Sequence, residues 1–189
     1  SGNDPATVIK KSVLRFDGIV DGLRGMFNQT ITDGYMFAAF SVLGNGGETW
    51  GRMFSINSTG ASDASATGFQ FVDKNSSTND LVTYYNGSAI IQTDLFDENN
   101  GDILVESKLT STGIESSVNN AAPHTLSVST TVSAEEFNIA VRQDGVNQNT
   151  AIDLEYLALF PSSITDAQAD AVRNYINNRN NVFDLKDGF

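Results

Sequence analysis

The chain has 189 residues, 40% of them apolar, which suffices for one sizeable core and is too apolar for a disordered polymer. Its net charge of −12, from 23 acidic and 11 basic residues, repels phosphate backbones and anionic headgroups and argues against nucleic-acid and membrane partners. With no cysteine and one histidine, His124, thiol catalysis, cysteine-ligated zinc, iron–sulfur clusters and a histidine metal cluster within the chain are excluded.

Residues 1–12 are polar and read as an N-terminal arm without the apolar stretch of a secretion leader. Residues 13–189 read as a single domain. Short β-prone runs follow at 13–16, 35–43, 52–57, 69–72, 81–85, 89–95, 103–109, 126–132, 137–142 and 152–160. Two of them alternate strictly. Leu126, Val128 and Val132 are expected inward with Ser127, Ser129 and Thr131 in water; Phe137, Ile139 and Val141 likewise oppose Asn138, Ala140 and Arg142. The run 35–43 is apolar on both faces, as a central strand is. Turn clusters such as Asn86-Gly87 and Asp144-Gly145 separate the runs. About ten strands at this spacing predict an all-β, two-sheet antiparallel jelly-roll sandwich.

The period changes after residue 160. Thr165-Asp166-Ala167-Gln168 forms a capping box, and Ala169, Val172, Tyr175 and Ile176 share one helical face. Asp166 and Asp170 lie near the positive end of the helix dipole, Arg173 and Arg179 towards the other. One short C-terminal helix is predicted at about 166–179.

Several stretches, taken in order, resemble the concanavalin A-like, laminin G-type jelly rolls. The run from Val13 to Gly22, with Phe16-Asp17-Gly18 at its centre, resembles that family's opening, with Val20 where an aspartate usually stands. Residues 35–42 resemble its first long core strand, and 137–146, ending Asp144-Gly145, its characteristic hairpin. Residues 152–160, Ser163-Ile164-Thr165-Asp166 and the helix after them resemble its last strand and closing helix. The resemblance implies fold more strongly than function, because this fold hosts lectins, glycan-cleaving enzymes, receptor domains and virion proteins.

Three candidate sites stand out. Trp50, Tyr84 and Tyr85 are the aromatics best placed to stack on sugar rings; Tyr84 and Tyr85 alternate on one strand, so at most one belongs to the core. Asp97, Asn99 and Asp102 place oxygen ligands at intervals beside Gly101, as in the start of a calcium loop, but Lys108 stands where the closing glutamate of an EF-hand would fall. Asp153 and Glu155 share an i, i+2 strand face, the geometry of a paired-carboxylate glycanase, without the third acid of that pattern. A solvated strand face explains them better, so no catalytic residue is assigned and catalysis is not expected.

The expected function is a non-catalytic virion structural or adhesion module of the phage tail-fibre, spike or capsid-decoration type. It would be assembled in the host cytoplasm, exposed on the particle, and would contact host-surface glycan or neighbouring virion subunits. Calcium is the one cofactor the sequence suggests, and self-association through the faces is compatible with the pattern. The alternatives are a secreted bacterial carbohydrate-binding module or calcium lectin, and a polysaccharide hydrolase or lyase.

Overall fold

A computed structural model describes residues 13–44, 50–60, 68–74, 80–85, 88–92, 102–110, 112–128, 133–141 and 149–184. The expected N-terminal arm, 1–12, lies outside them. The first strands are β1 (Leu14–Asp17), β2 (Leu23–Ile31), β3 (Gly34–Gly44), β4 (Trp50–Asn57), β5 (Gly68–Lys74) and β6 (Asp80–Tyr85). They are followed by β7 (Ser88–Gln92), β8 (Asp102–Thr110), β9 (Gly113–Val118), β10 (His124–Ser127), β11 (Ala134–Ile139) and β12 (Ala151–Phe160). Among the described residues one helix, α1 (Asp166–Asp184), follows the strands.

The strands form two six-stranded sheets. Sheet A runs β1-β12-β3-β8-β9-β10, and sheet B runs β2-β11-β4-β5-β6-β7. Every pairing between neighbours is antiparallel. Non-consecutive neighbours, β12 between β1 and β3, β8 beside β3, and β11 between β2 and β4, mark the crossovers of a jelly roll.

The main core lies between the sheets, where Met36, Ala38, Phe40 and Val42 of β3 meet Phe54, Ile56, Phe69 and Tyr85 of sheet B. The other face of β3 carries Phe37 and Ala39, which pack with Leu104 against Ala169 and Ile176 of α1. The strand that is apolar on both faces is therefore central, covered on one side by a sheet and on the other by the helix. Tyr35 stacks on Phe37 at 4.9 Å, and Phe160 meets Phe37 edge-on at 6.2 Å.

The capping box forms. The Thr165 amide donates to Gln168 Oε1 at 2.9 Å and the Gln168 amide to Thr165 Oγ1 at 3.3 Å. The helix outruns its expected end at 179 and continues to Asp184. No glycine or proline interrupts the chain before Gly188, so nothing breaks it earlier. Arg179 is thus not in the last turn, which carries no basic residue.

Two strands escaped the sequence reading. In β2, Gly25 and Gln29 interrupt the apolar alternation; in β9, Ser116 and Ser117 do. Ser116 is buried nevertheless, because its hydroxyl accepts from Ser107 Oγ at 3.0 Å. Of the expected strand at 126–132, β10 covers 126 and 127, and Leu126 and Val128 pack on the core as expected; residues 129–132 lie outside the described residues.

Two alternation expectations fail for identifiable reasons. Ala140 adopts φ +58°, which ends β11 at Ile139. Glu155 is a bulged residue, skipped in the register between Leu154↔Phe40 and Tyr156↔Ala39. The bulge turns Leu154 to the main core and Tyr156 to the helix side, two positions that strict alternation places together.

Candidate functional site

The outer face of sheet B, turned away from the core, carries the most unusual chemistry. Phe137 and Ile139 of β11 face inward, so Glu136 and Asn138 face outward. The register places Arg24 of β2 beside Asn138, and Met26 beside Glu136. On the other side Ser55 and Asn57 of β4 align with Asn138 and Glu136. One row therefore crosses the sheet as Arg24, Asn138, Ser55, Gln70 and Tyr84.

Polar residues on an outer sheet face are ordinarily solvated. Here Asn57 is 0% exposed and Asn138 1%, and both are satisfied internally. Arg24 Nε donates to Asn138 Oδ1 at 3.1 Å. The Asn138 amide donates to Asn57 Oδ1 at 3.0 Å and to Ser55 Oγ at 3.3 Å. Asn57 Nδ2 in turn donates to Glu136 Oε2 at 3.2 Å. Asn138 was expected in water; the network it joins is what draws it out.

Above this floor Arg24 is exposed, and its two terminal nitrogens make no hydrogen bond or ion pair among the described residues. Arg24, Gly25, Met26, Glu136, Phe137 and Asn138 line a groove of about 220 Å³. A forked donor thus stands beside an acceptor carboxylate, over a floor that cannot rearrange cheaply.

The sequence-based candidates fall in different places. Tyr85 is corrected as a ligand contact: it is 0% exposed, lies in the main core, and donates its hydroxyl to the Thr110 carbonyl at 2.9 Å, tying sheet B to sheet A. Tyr84 holds the register position between Gln70 and Ala89, at the far end of the polar row. Trp50 opens β4 opposite Lys74. Asp97 and Asn99 lie outside the described residues, and Asp102 begins β8. Among the described residues no cluster of three or more histidine, aspartate or glutamate side chains is arranged to hold a metal ion.

Asp153 is held in a bidentate pair by Arg15, with Nε to Oδ1 at 2.6 Å and Nη2 to Oδ2 at 2.5 Å. Glu155 sits on the bulge. A carboxylate clamped by a guanidinium beside one displaced by a bulge is not the paired arrangement that sugar hydrolysis needs.

The opening Phe16-Asp17-Gly18 motif is structural. Phe16 is buried in the main core. Asp17 Oδ1 accepts from the amides of Ile19, Val20 and Asp21 at 2.8, 3.0 and 3.2 Å, and Gly18 supplies φ +74°. Those amide bonds, the Ile19 one foremost, hold the Asp17 carboxyl below its ordinary range.

No protein-family model matches the chain, and no curated protein matches it by sequence. Solved structures do resemble it. The CBM40 of the Ruminococcus gnavus IT-sialidase, bound to α2,6-sialyllactose, superposes with TM-score 0.58 at 11% identity, covering 87% of this chain and 98% of that one. Mouse laminin α1 domains LG4-5 give 0.57 at 6% identity, covering 82% of this chain and 43% of theirs. The alginate lyase AlgAT5 of polysaccharide lyase family 7 gives 0.51 at 11% identity, covering 73% and 67%. At these identities the likeness speaks to architecture, and the chain has the concanavalin A-like, laminin G-type jelly-roll fold.

Proposed function

We propose that this chain is a non-catalytic glycan-binding module whose contact surface is the outer face of sheet B. The observation that carries this reading is the buried Asn138–Asn57–Ser55 network beneath the exposed Arg24 and the half-buried Glu136. Such a floor fixes donors and acceptors in advance, as recognition of a polyhydroxylated ligand requires. Arg24 is the group that would take the carboxylate of an acidic terminal sugar in a bidentate grip, while Glu136 accepts from neighbouring hydroxyls. The sialyllactose held by the CBM40 structure is a ligand of that chemistry.

Clamping of Asp153 by Arg15 supports binding without turnover. The finer reading, display on a virion surface where many weak sites act together, is supported by the Asn/Ser/Thr-rich strands and the family resemblance. Neighbouring genes for tail or capsid proteins would favour it; neighbouring sugar-utilisation genes would favour a secreted module.

The test is a glycan array carrying sialylated, uronate-bearing and neutral glycans, probed with the wild type and with Arg24→Ala. Retention of acidic glycans by the wild type, lost in the variant, is the expected result. Sugar release from any arrayed glycan, or retention that Arg24→Ala leaves intact, would overturn it.

A further inference from the structure

A second cleft lies on the opposite side of the molecule, between α1 and the outer face of sheet A. It measures about 420 Å³ and is lined by Tyr35, Glu106, Lys108, Glu115, Ser117, Asn120, Ala121, Pro123, Asp170 and Arg173. That volume is within the usual range of small-ligand pockets. Its back wall is rigid. Glu106, 4% exposed, accepts from Arg173 Nε through both oxygens at 2.8 and 2.9 Å and from the Tyr35 hydroxyl at 3.3 Å. Arg173 also reaches Tyr35 Oη at 3.2 Å and Asp170. Its guanidinium is therefore committed on every side.

The front wall is not committed. Lys108 and Glu115 are directly opposite in the β8–β9 register, and Ser117 lies opposite Glu106. Asn119 and Asn120 take positive φ values of 49° and 59°, forming the tight turn that brings Asn120 to the rim. Lys108, Glu115, Ser117 and Asn120 make no side-chain hydrogen bond or ion pair among the described residues, yet all four converge on the cleft with the Tyr35 ring behind them. Glu115 stands opposite the single unpaired cation, Lys108, while Ser117 and Asn120 can each both donate and accept. With Glu106 and Arg173 cancelling, the cleft keeps two carboxylates, Glu115 and Asp170, against that cation, and the whole chain is acidic. A carboxylate-bearing ligand is disfavoured there, and a donor-rich cationic one is favoured.

We propose that the cleft between α1 and sheet A binds one amine-bearing pyranose residue, its ammonium on Glu115 and its hydroxyls on Lys108, Ser117 and Asn120. The domain would then hold two chemically opposed sugar sites on its two faces. This site shares no residue with the sheet B groove, so either can fail alone.

Saturation-transfer NMR and calorimetry with glucosamine, glucose and glucuronate test it. Glucosamine should bind saturably, glucose more weakly and glucuronate not at all. Glu115→Gln should weaken glucosamine about tenfold, the loss of one charge-assisted hydrogen bond, and remove the preference over glucose. Arg24→Ala should change nothing here. Absence of glucosamine binding, a Glu115→Gln variant of unchanged melting temperature that binds as before, or a loss on Arg24→Ala would each overturn the assignment.

Discussion

Removal of the Arg173 side chain tests how the helix is fastened to the sandwich. Arg173→Met keeps helix propensity and most of the aliphatic stem while deleting the guanidinium. It leaves Glu106, 4% exposed, without its bidentate partner. Breaking a buried pair from one side costs about 3–5 kcal/mol. The lower end applies, about 3 kcal/mol, because Arg173 is itself 28% exposed and Glu106 keeps the Tyr35 hydroxyl. In a chain of this size that lowers the melting temperature by about 6–12 °C. Glu106→Gln should cost less, about 1 kcal/mol, since Arg173 keeps Asp170 and water and the amide needs no counter-charge. The double variant should then recover about 2 kcal/mol of the summed losses. Urea denaturation followed by far-UV circular dichroism reads all three. A wild-type midpoint for Arg173→Met, or strict additivity in the double variant, would refute the view that this pair pins α1.

Three other perturbations bear on the fold. Asn138→Ala strands the buried Asn57 oxygen and should cost about 1–3 kcal/mol by chemical denaturation, although the residue lies on an outer strand face. Gly113→Ala should destabilise severely and uncouple β10, because Gly113 holds φ +153° and a Cβ there would overlap the Leu126 carbonyl; backbone amide exchange in β9 and β10 reads it. The Asp17 carboxyl is held low by backbone amides, so its stabilisation is present above the ordinary carboxylate range and fades as pH falls through the lower folded value. The melting-temperature gap between wild type and Asp17→Asn should accordingly close in acid; a gap independent of pH contradicts it.

The fold was legible wherever side-chain period decided it. The doubly apolar run of β3 announced a strand buried on both faces, and the Thr165–Gln168 box announced the helix start. Legibility failed where a polar residue is buried in company. Ser116 and Ser107 satisfy one another, and Asn138, Asn57 and Ser55 do the same, so strands that look solvated in sequence are not. A second limit is the single residue that breaks the period: Glu155 on its bulge sends Leu154 and Tyr156 to opposite faces, and Ala140 at positive φ ends β11. The candidate site was hidden for the same reason. Arg24 sits on a strand whose alternation Gly25 and Gln29 obscure, and its meaning appears only when the register sets it beside Asn138. An aromatic side chain on a strand marks core and sugar platform alike in sequence, and Tyr85 is core.

Titration of the isotope-labelled chain with α2,6-sialyllactose, followed by amide NMR, is the most direct measurement. Saturable shifts centred on Arg24, Met26, Glu136 and Asn138, spreading to Ser55 and Asn57, are the predicted outcome. An unchanged spectrum, or shifts confined to the inner core or to the helix side, would contradict the assignment of the sheet B face.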